Sequence, residues 1–417
     1  MIKYKEALDI VIKNTKQLGF EKVFLKDALG RILAEDIVAD RDNPPADNSG
    51  MDGFAVRYED IKGATEENPA VLEIVGEAKA GGNPPVIKKG QASYIFTGGL
   101  IPEGADTVIQ KELTKVEDNK VFIFQELPKG ANIRPQGGDF KKGDILIKKR
   151  KKIRSAEIGV ISSVNKPTVY VYQKPRVAIL TTGDEILDLA EPITSDAQIR
   201  TSNTYALYAQ ILETGAEPII IGFAKDDPED LKRKLSYAKS CDILLTTGGV
   251  SVGEYDLVKD FVCTELGVNI LFWKVAQKPG KPVAFGIWGQ EKEKLFFGIP
   301  GNPVACMFVY ETLVKPAIKK MMGYENYYNP VITAKLKGGY KRKKADRQEF
   351  IRVAIEYKNN EFIAKPFGKQ GSNILTGMVN ANGFGVVNIG VNEIKEGEEI
   401  KVILFDTSFL DTKDIEI

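Results

Sequence analysis

A chain of 417 residues is too long for one ordinary hydrophobic core, so three or four domains are expected. Its 58 Lys and Arg against 57 Asp and Glu leave a net charge of +1, which argues against a nucleic-acid or membrane surface as the main partner. The absence of histidine excludes Ser-His and Cys-His nucleophiles and His-ligated metals, leaving acid–base work to carboxylates, lysines and hydroxyls and any metal to be a hard, oxygen-ligated ion such as Mg²⁺.

No apolar run is long enough to span a bilayer, and the N-terminal MIKYKEALDIVIKNTKQ lacks the unbroken apolar stretch of a signal peptide, so a cytoplasmic protein is expected. Ala7, Leu8, Val11 and Ile12 mark an amphipathic helix that stops near Gly19. A short helical or extended segment, 23–39, leads into DNPPADNSGMDGFAV at 42–56, a turn-rich loop before a strand at 54–56. On the residues alone Asp47, Asn48 and Asp52 read as turn residues bonding their own backbone. From 71 to 125 the strands VLEIV, ASYIF, DTVIQ and KVFIF indicate a small inserted β domain, in which Thr97-Gly98-Gly99 ends one strand. The glycine-rich return at 131–146 carries Arg134 and Asp139, which read as a surface pair. The basic run KKRKKIR at 148–154 reads as a solvated face or hinge, and 155–164 as a helix.

Three similar strand ends follow. AILTTGDE at 178–185 runs from an apolar strand into Thr182, Gly183 and Glu185. After a helix at 203–213 and a strand at 218–222, Asp226 lies beyond the strand end, where Asp226 or Asp227 could instead cap the helix starting at Pro228. CDILLTTGGVSVGEYDLVKD at 241–260 repeats the pattern: a buried strand, a loop of Gly248, Gly249, Ser251 and Gly253, then a helix whose first turn holds Asp256 as cap, dipole partner or ligand. LFFGIPGNPV at 295–304 is the third, with Pro300, Gly301, Asn302 as helix cap and Pro303 in the first turn. This alternation implies a doubly wound parallel sheet whose strand-end loops converge on one crevice suited to phosphate. Beside it, Lys274, Lys278 and Lys281 surround a Pro-Gly turn as an oxyanion receptor or as plain exposed lysines. Cys241, Cys263 and Cys306 have neither zinc nor disulfide spacing and read as packing residues. After a linker at 321–328, VITAKLK, EFIRVAIEY, EFIAKPF, GFGVVNIG and EIKVILF, with a hairpin turn at Asn359-Asn360, indicate a C-terminal β barrel.

Taken together, DNSGMDGFAV (47–56), TGGLIPEGAD (97–106), IRPQGGD (133–139), TTGDE (181–185), TTGGVSVGEYD (246–256), KPGKP (278–282) and GIPGNPV (298–304) resemble the molybdopterin molybdenumtransferases, the family that includes the C-terminal domain of gephyrin. The resemblance covers almost the whole chain. It implies a multidomain α/β protein: an elongated connecting domain (1–43 and 139–172), an inserted β domain (44–138), an α/β molybdopterin-binding domain (173–327) and a C-terminal β barrel (328–417). It implies that adenylated molybdopterin and molybdate react with help from Mg²⁺ and release AMP, in a homodimer whose cleft is shared between subunits; a molybdopterin adenylyltransferase is an expected further partner. Asp52 and Thr97 would come from the inserted-domain side, and Glu185 and Asp256, with Asp226 nearby, would hold Mg²⁺ or the attacking water. Lys278, Lys281, Arg352 and Ser372 would hold molybdate or the pterin phosphate. Thr182, Gly183, Gly248, Gly249, Ser251, Lys274, Pro300, Gly301 and Asn302 would complete the substrate site, and Asp139 falls on a family motif that bears on substrate or on the hinge. The chain departs from the common pattern in GKQGS at 368–372, where many relatives have a histidine before the glutamine, and at Ala305, where serine is frequent. A gephyrin-like scaffold and an adenylyltransferase acting on ATP through Thr246 to Asp256 are the competing readings; four acids directed at one cleft speak against the scaffold.

Overall fold

Every residue of the strand Arg176–Thr182 after the first is buried, and the two sides they take organise the middle of the molecule. Val177 and Ile179 pack with Leu207 and Ile211 of the helix Asn203–Thr214 and with Phe308 and Leu313 of the helical run beginning at Pro303. Ala178 and Leu180 pack on the opposite face with Leu231 and Leu235 of the helix Pro228–Ala238 and Val262 of the helix Leu257–Leu266. A strand covered by helices on both sides shows no period-two polarity, hence its continuous apolar run. The computed structural model describes residues 1–224, 227–248 and 257–411.

The sheet has six strands in the order Glu217–Ala224, Arg176–Thr182, Ile243–Thr247, Lys294–Ile299, Pro282–Trp288, Asn269–Lys274. The first four are parallel, whereas Pro282–Trp288 runs antiparallel to both its neighbours. The all-parallel expectation is corrected here for a geometric reason: only residues 289–293 separate Trp288 from Lys294, enough for a hairpin but not for the dozen or so residues of a crossover. From Arg176–Thr182 the chain passes to one side, Glu217–Ala224, and then to the other, Ile243–Thr247, so strand order reverses between the first and third of these. Sheets of this kind open a crevice at that point, beyond the carboxyl ends of the strands.

Three smaller units flank the sheet. In the connecting unit Phe20–Phe24 pairs with Thr168–Tyr172 and Ile37–Val38 with Ile145–Ile147, over a core that includes Leu33, Ile153 and Ile161. The N-terminal helix Tyr4–Asn14 buries Ala7, Leu8 and Val11 against the α/β core, because its apolar stripe meets the helices after Pro303. The inserted unit is a curved six-stranded sheet that includes Gly53–Val56 and Gln91–Ile95 around Phe54, Leu72 and Val121. Gly53 is required there: a Cβ would stand 1.9 Å from the Ile109 carbonyl oxygen.

The C-terminal sheet closes. Gln348–Lys358 pairs with both Glu361–Pro366 and Gly383–Val387, and Val331–Leu336 and Glu399–Leu404 complete the circuit, giving a five-stranded barrel. Asn359 and Asn360 make its first hairpin turn at positive φ, as that turn type requires. Alternation along Gln348–Lys358 sends Ile351, Val353 and Ile355 into the barrel and Phe350 outward onto Phe308, so barrel and α/β domain share apolar packing.

Candidate active site

The strand ends Thr182, Thr247 and Ile299 deliver three loops to one cleft of ≈ 590 Å³. Thr182, Glu185, Gly248, Pro300, Gly301 and Asn302 line it, six of the residues singled out from sequence. Gly183 lies directly under the Glu185 carboxylate, 2.6 Å from Oε2 to an added Cβ, and its φ of +134° suits glycine. Gly248 is equally constrained, with the Thr182 carbonyl oxygen 2.7 Å from such a Cβ. Within the lining, the Thr181 hydroxyl receives that of Thr247 at 3.3 Å and meets that of Thr204, just behind, at 2.7 Å, while Thr201 meets Thr204 at 2.8 Å. These buried hydroxyls satisfy one another and tie two strands to the helix Asn203–Thr214.

Sequence reasoning missed several lining residues. Asn203 donates from Nδ2 to the Gly301 carbonyl at 2.7 Å and so fixes the third loop against the helix Asn203–Thr214. Arg200, on the short strand Ile199–Arg200, is the one cation lining the cleft among the described residues. Its Nη1 donates to the carbonyls of Glu191 at 2.7 Å and Asp188 at 3.2 Å, which orients the guanidinium and leaves its other donors available. The signal was weak because the pairing of Ile186–Leu187 with Ile199–Arg200 is only two residues long and encloses a loop without periodicity. Asn373 of the barrel also lines the cleft; the adjoining Ser372 accepts the Val304 amide at 3.0 Å through its carbonyl, binding the barrel loop to the start of the helix Pro303–Val309.

The remaining assigned residues stand elsewhere. Asp52 and Thr97 meet each other on the inserted unit, and among the described residues no side chain from 44–138 lines the cleft. Both the amide and the hydroxyl of Thr97 donate to Asp52 Oδ1, and these bonds, with lesser help from Lys111, hold that carboxyl below its usual range. Asp139 accepts from Asn43 Nδ2 at 3.0 Å in the connection between units. Lys278 is spent on Glu349 at 2.7 Å, and neither it nor Lys274 or Lys281 lines the cleft, although Pro282, next to Lys281, does. Arg352, expected to grip substrate, is 2 % exposed and donates to the carbonyls of Lys369 and Gly371. It shapes the loop that carries Ser372 and Asn373, because its strand position faces the packed junction between barrel and α/β domain. Asp226, Gly249, Ser251 and Asp256 lie outside the described residues.

Among the described residues no three acidic, histidine or cysteine side chains gather to hold a metal. Glu185 is the lone carboxylate of the described lining, and its neighbours offer hydroxyl and carbonyl oxygen, a donor set that fits Mg²⁺ rather than a soft ion. Three family models match in succession: the MoeA N-terminal region (domains I and II) over 2–165, a probable molybdopterin-binding domain over 178–320, and the MoeA C-terminal region (domain IV) over 333–405. A molybdopterin molybdenumtransferase of Nostoc sp. is 35 % identical over 398 residues, 95 % of this chain and 91 % of that one. The chain belongs to the molybdopterin molybdenumtransferase family. The Bacillus subtilis member is 34 % identical, covering 96 % of this chain and 93 % of its own length. The crystal structure of a molybdopterin biosynthesis MoeA protein from Pyrococcus horikoshii superimposes with a TM-score of 0.83 at 33 % identity, covering 98 % of this chain and all of that one. The mixed sheet, inserted β unit and barrel described above are thus this family's multidomain architecture.

Proposed function

We propose that this chain is a molybdopterin molybdenumtransferase acting in molybdenum-cofactor biosynthesis, with adenylated molybdopterin and molybdate as substrates and AMP as a product. The observation that supports it most is the cleft at the strand-order reversal, whose described lining presents hydroxyls, backbone and amide groups, one guanidinium and one carboxylate. A phosphoanhydride needs only water for its cleavage: the P–O bond breaks, the two phosphates separate as anions, and protons are released. The work left to the protein is to hold anions together and to orient that water.

Arg200 fits the role of receiving phosphate oxygens, since its plane is fixed by two carbonyls and its free edge can make paired hydrogen bonds. The start of the helix Asn203–Thr214 lies at the same rim and adds partial positive charge. Asn203 holds the third loop, which carries Asn302, against the helix Asn203–Thr214. Glu185, together with Asp256, would hold Mg²⁺, which supplies positive charge beside the anhydride oxygens.

Asp52 takes part, in this reading, from a second copy of the chain. Its carboxylate is held in one orientation by Thr97 and is the candidate proton acceptor for the attacking water, yet among the described residues its own inserted unit contributes nothing to the cleft of the same chain. A homodimer that sets the inserted unit of each copy against the cleft of the other resolves this. The test is AMP release from adenylated molybdopterin with molybdate and Mg²⁺, in wild type and in Glu185→Gln. Release that depends on molybdate and collapses in Glu185→Gln supports the assignment; equal release from both proteins sinks it.

A further inference from the structure

The groove of ≈ 750 Å³ between the connecting unit and the segment after the helix Lys315–Met321 has no part in the reaction above. Its wall is the basic run of the sequence: Lys148, Lys149, Arg150, Lys151, Lys152 and Arg154 all line it. An extended strand would throw alternate side chains to opposite faces. Here a turn at Lys149 and Arg150, with Arg150 at φ +70°, breaks the alternation and gathers the six on one side.

The turn is fixed by its backbone. The Arg150 amide donates to the Leu33 carbonyl at 2.7 Å, the Leu33 amide to the Lys151 carbonyl at 3.0 Å, and the Lys149 amide to Asp36 Oδ1 at 2.7 Å. Charge compensation is scant. Glu157 meets Arg154 at 2.9 Å and Lys151 at 4.0 Å, while Lys148, Lys149, Arg150 and Lys152 have no ion pair among the described residues. Arg150 stacks instead near the Tyr172 ring, at 5.9 Å. Lys319, whose ammonium stands over the ring of the lining residue Tyr324, has its pKa pushed down by burial and then by the fields of Lys315 and Lys152. Like charges gathered on a rigid frame repel one another unless an anion relieves them.

We propose that this groove docks an acidic, extended polypeptide segment of a partner protein. Six basic side chains line the groove, more than one small anion can meet at once. An extended segment with acids at alternate positions can meet them one after another, and the half-buried Tyr324 in the lining gives apolar footing to the residues between. Asp36 and Glu325, also in the lining, would repel the uniform charge of a nucleic-acid strand while leaving room for spaced carboxylates.

The experiment uses the full chain and a short fluorescein-labelled peptide of alternating Glu and Ser, followed by anisotropy at about 0.05 M and about 0.5 M NaCl. Lys148→Glu/Lys149→Glu/Lys152→Glu is expected to weaken binding about tenfold or more, whereas Lys88→Glu/Lys89→Glu/Lys120→Glu on the inserted unit stays within about twofold. The neutral Lys148→Gln/Lys149→Gln/Lys152→Gln protein, expected to fall between, covers the case in which reversal of charge prevents folding. Equal weakening in both sets, no weakening in either, or preferential binding of inorganic pyrophosphate or a single-stranded oligonucleotide would overturn the proposal. So would a change in oligomeric state of the groove variants without a change in peptide binding, since that would assign the groove to a second copy of the chain.

Discussion

Oδ1 of Asp52 accepts two hydrogen bonds from one residue, 2.7 Å from the amide of Thr97 and 2.8 Å from its hydroxyl. The two residues come from different strand ends of the inserted unit, and the double bond holds an exposed carboxylate in one orientation. Both donors favour the charged form, so Asp52 stays ionised further into acid than a free aspartate. Thr97→Val keeps the amide and removes the hydroxyl. The Asp52 carboxyl should then titrate at higher pH, as read by NMR of its carboxyl carbon, and the acid limb of AMP release should move the same way. An unmoved titration would show that the hydroxyl contributes nothing to the charge state.

Arg200 carries a prediction about binding rather than turnover. Arg200→Gln should raise KM for the pterin nucleotide about tenfold or more with a smaller loss in kcat, and Arg200→Lys should recover only part, because a lysine cannot reproduce the paired geometry. A pure loss in kcat would move Arg200 from holding ground-state phosphate to acting in the transition state.

Arg352 distinguishes positioning from contact. Arg352→Lys leaves the carbonyls of Lys369 and Gly371 without their fork-shaped partner, and a stability loss of about 2–4 kcal/mol is expected. Calorimetry should show a lower Tm, and hydrogen exchange should rise in residues 368–373 together with a fall in activity. Lost activity with unchanged Tm and exchange would return Arg352 to direct contact with substrate.

Glu157 sets part of the acid stability. The Arg154 guanidinium, bonded to it at 2.9 and 3.0 Å, is the main cause that pulls its carboxyl from 4.5 to about 2. A depressed carboxyl stabilises the fold fully above the unfolded value and loses that contribution as pH falls from about 4.5 towards 2. Glu157→Gln should therefore cost about 1–2 kcal/mol near neutrality, and the gap to wild type should close across that interval in denaturant titrations at stepped pH. A gap independent of pH would mean that packing, not charge, is lost.

The three strand ends were legible because a buried strand followed by threonine and glycine leaves a local mark: apolar residues, then residues that permit close backbone approach. Thr182, Gly248 and Gly301 reach one cleft for that reason. The hairpin turn at Asn359 and Asn360 was legible on the same local grounds. Arg352 was not, since its burial depends on the barrel packing Phe350 against Phe308 of a distant helix, a long-range contact that no window of sequence contains. Lys278 looked free for the same reason, its partner Glu349 lying in a strand of another domain. The antiparallel edge of the sheet could have been read from the short interval between Trp288 and Lys294, which forbids a crossover.

The central claim is that Asp52 and the Glu185 cleft act together from two copies of the chain, and complementation between Asp52→Asn and Glu185→Gln proteins tests it most directly. Each variant alone should release little AMP, but after mixing and subunit exchange one intact site forms in every mixed dimer, restoring about a quarter of wild-type activity under random pairing. A mixture no more active than its parts, with exchange verified by co-purification through an affinity tag carried by only one variant, would place both residues in one chain's site or outside it and contradict the account.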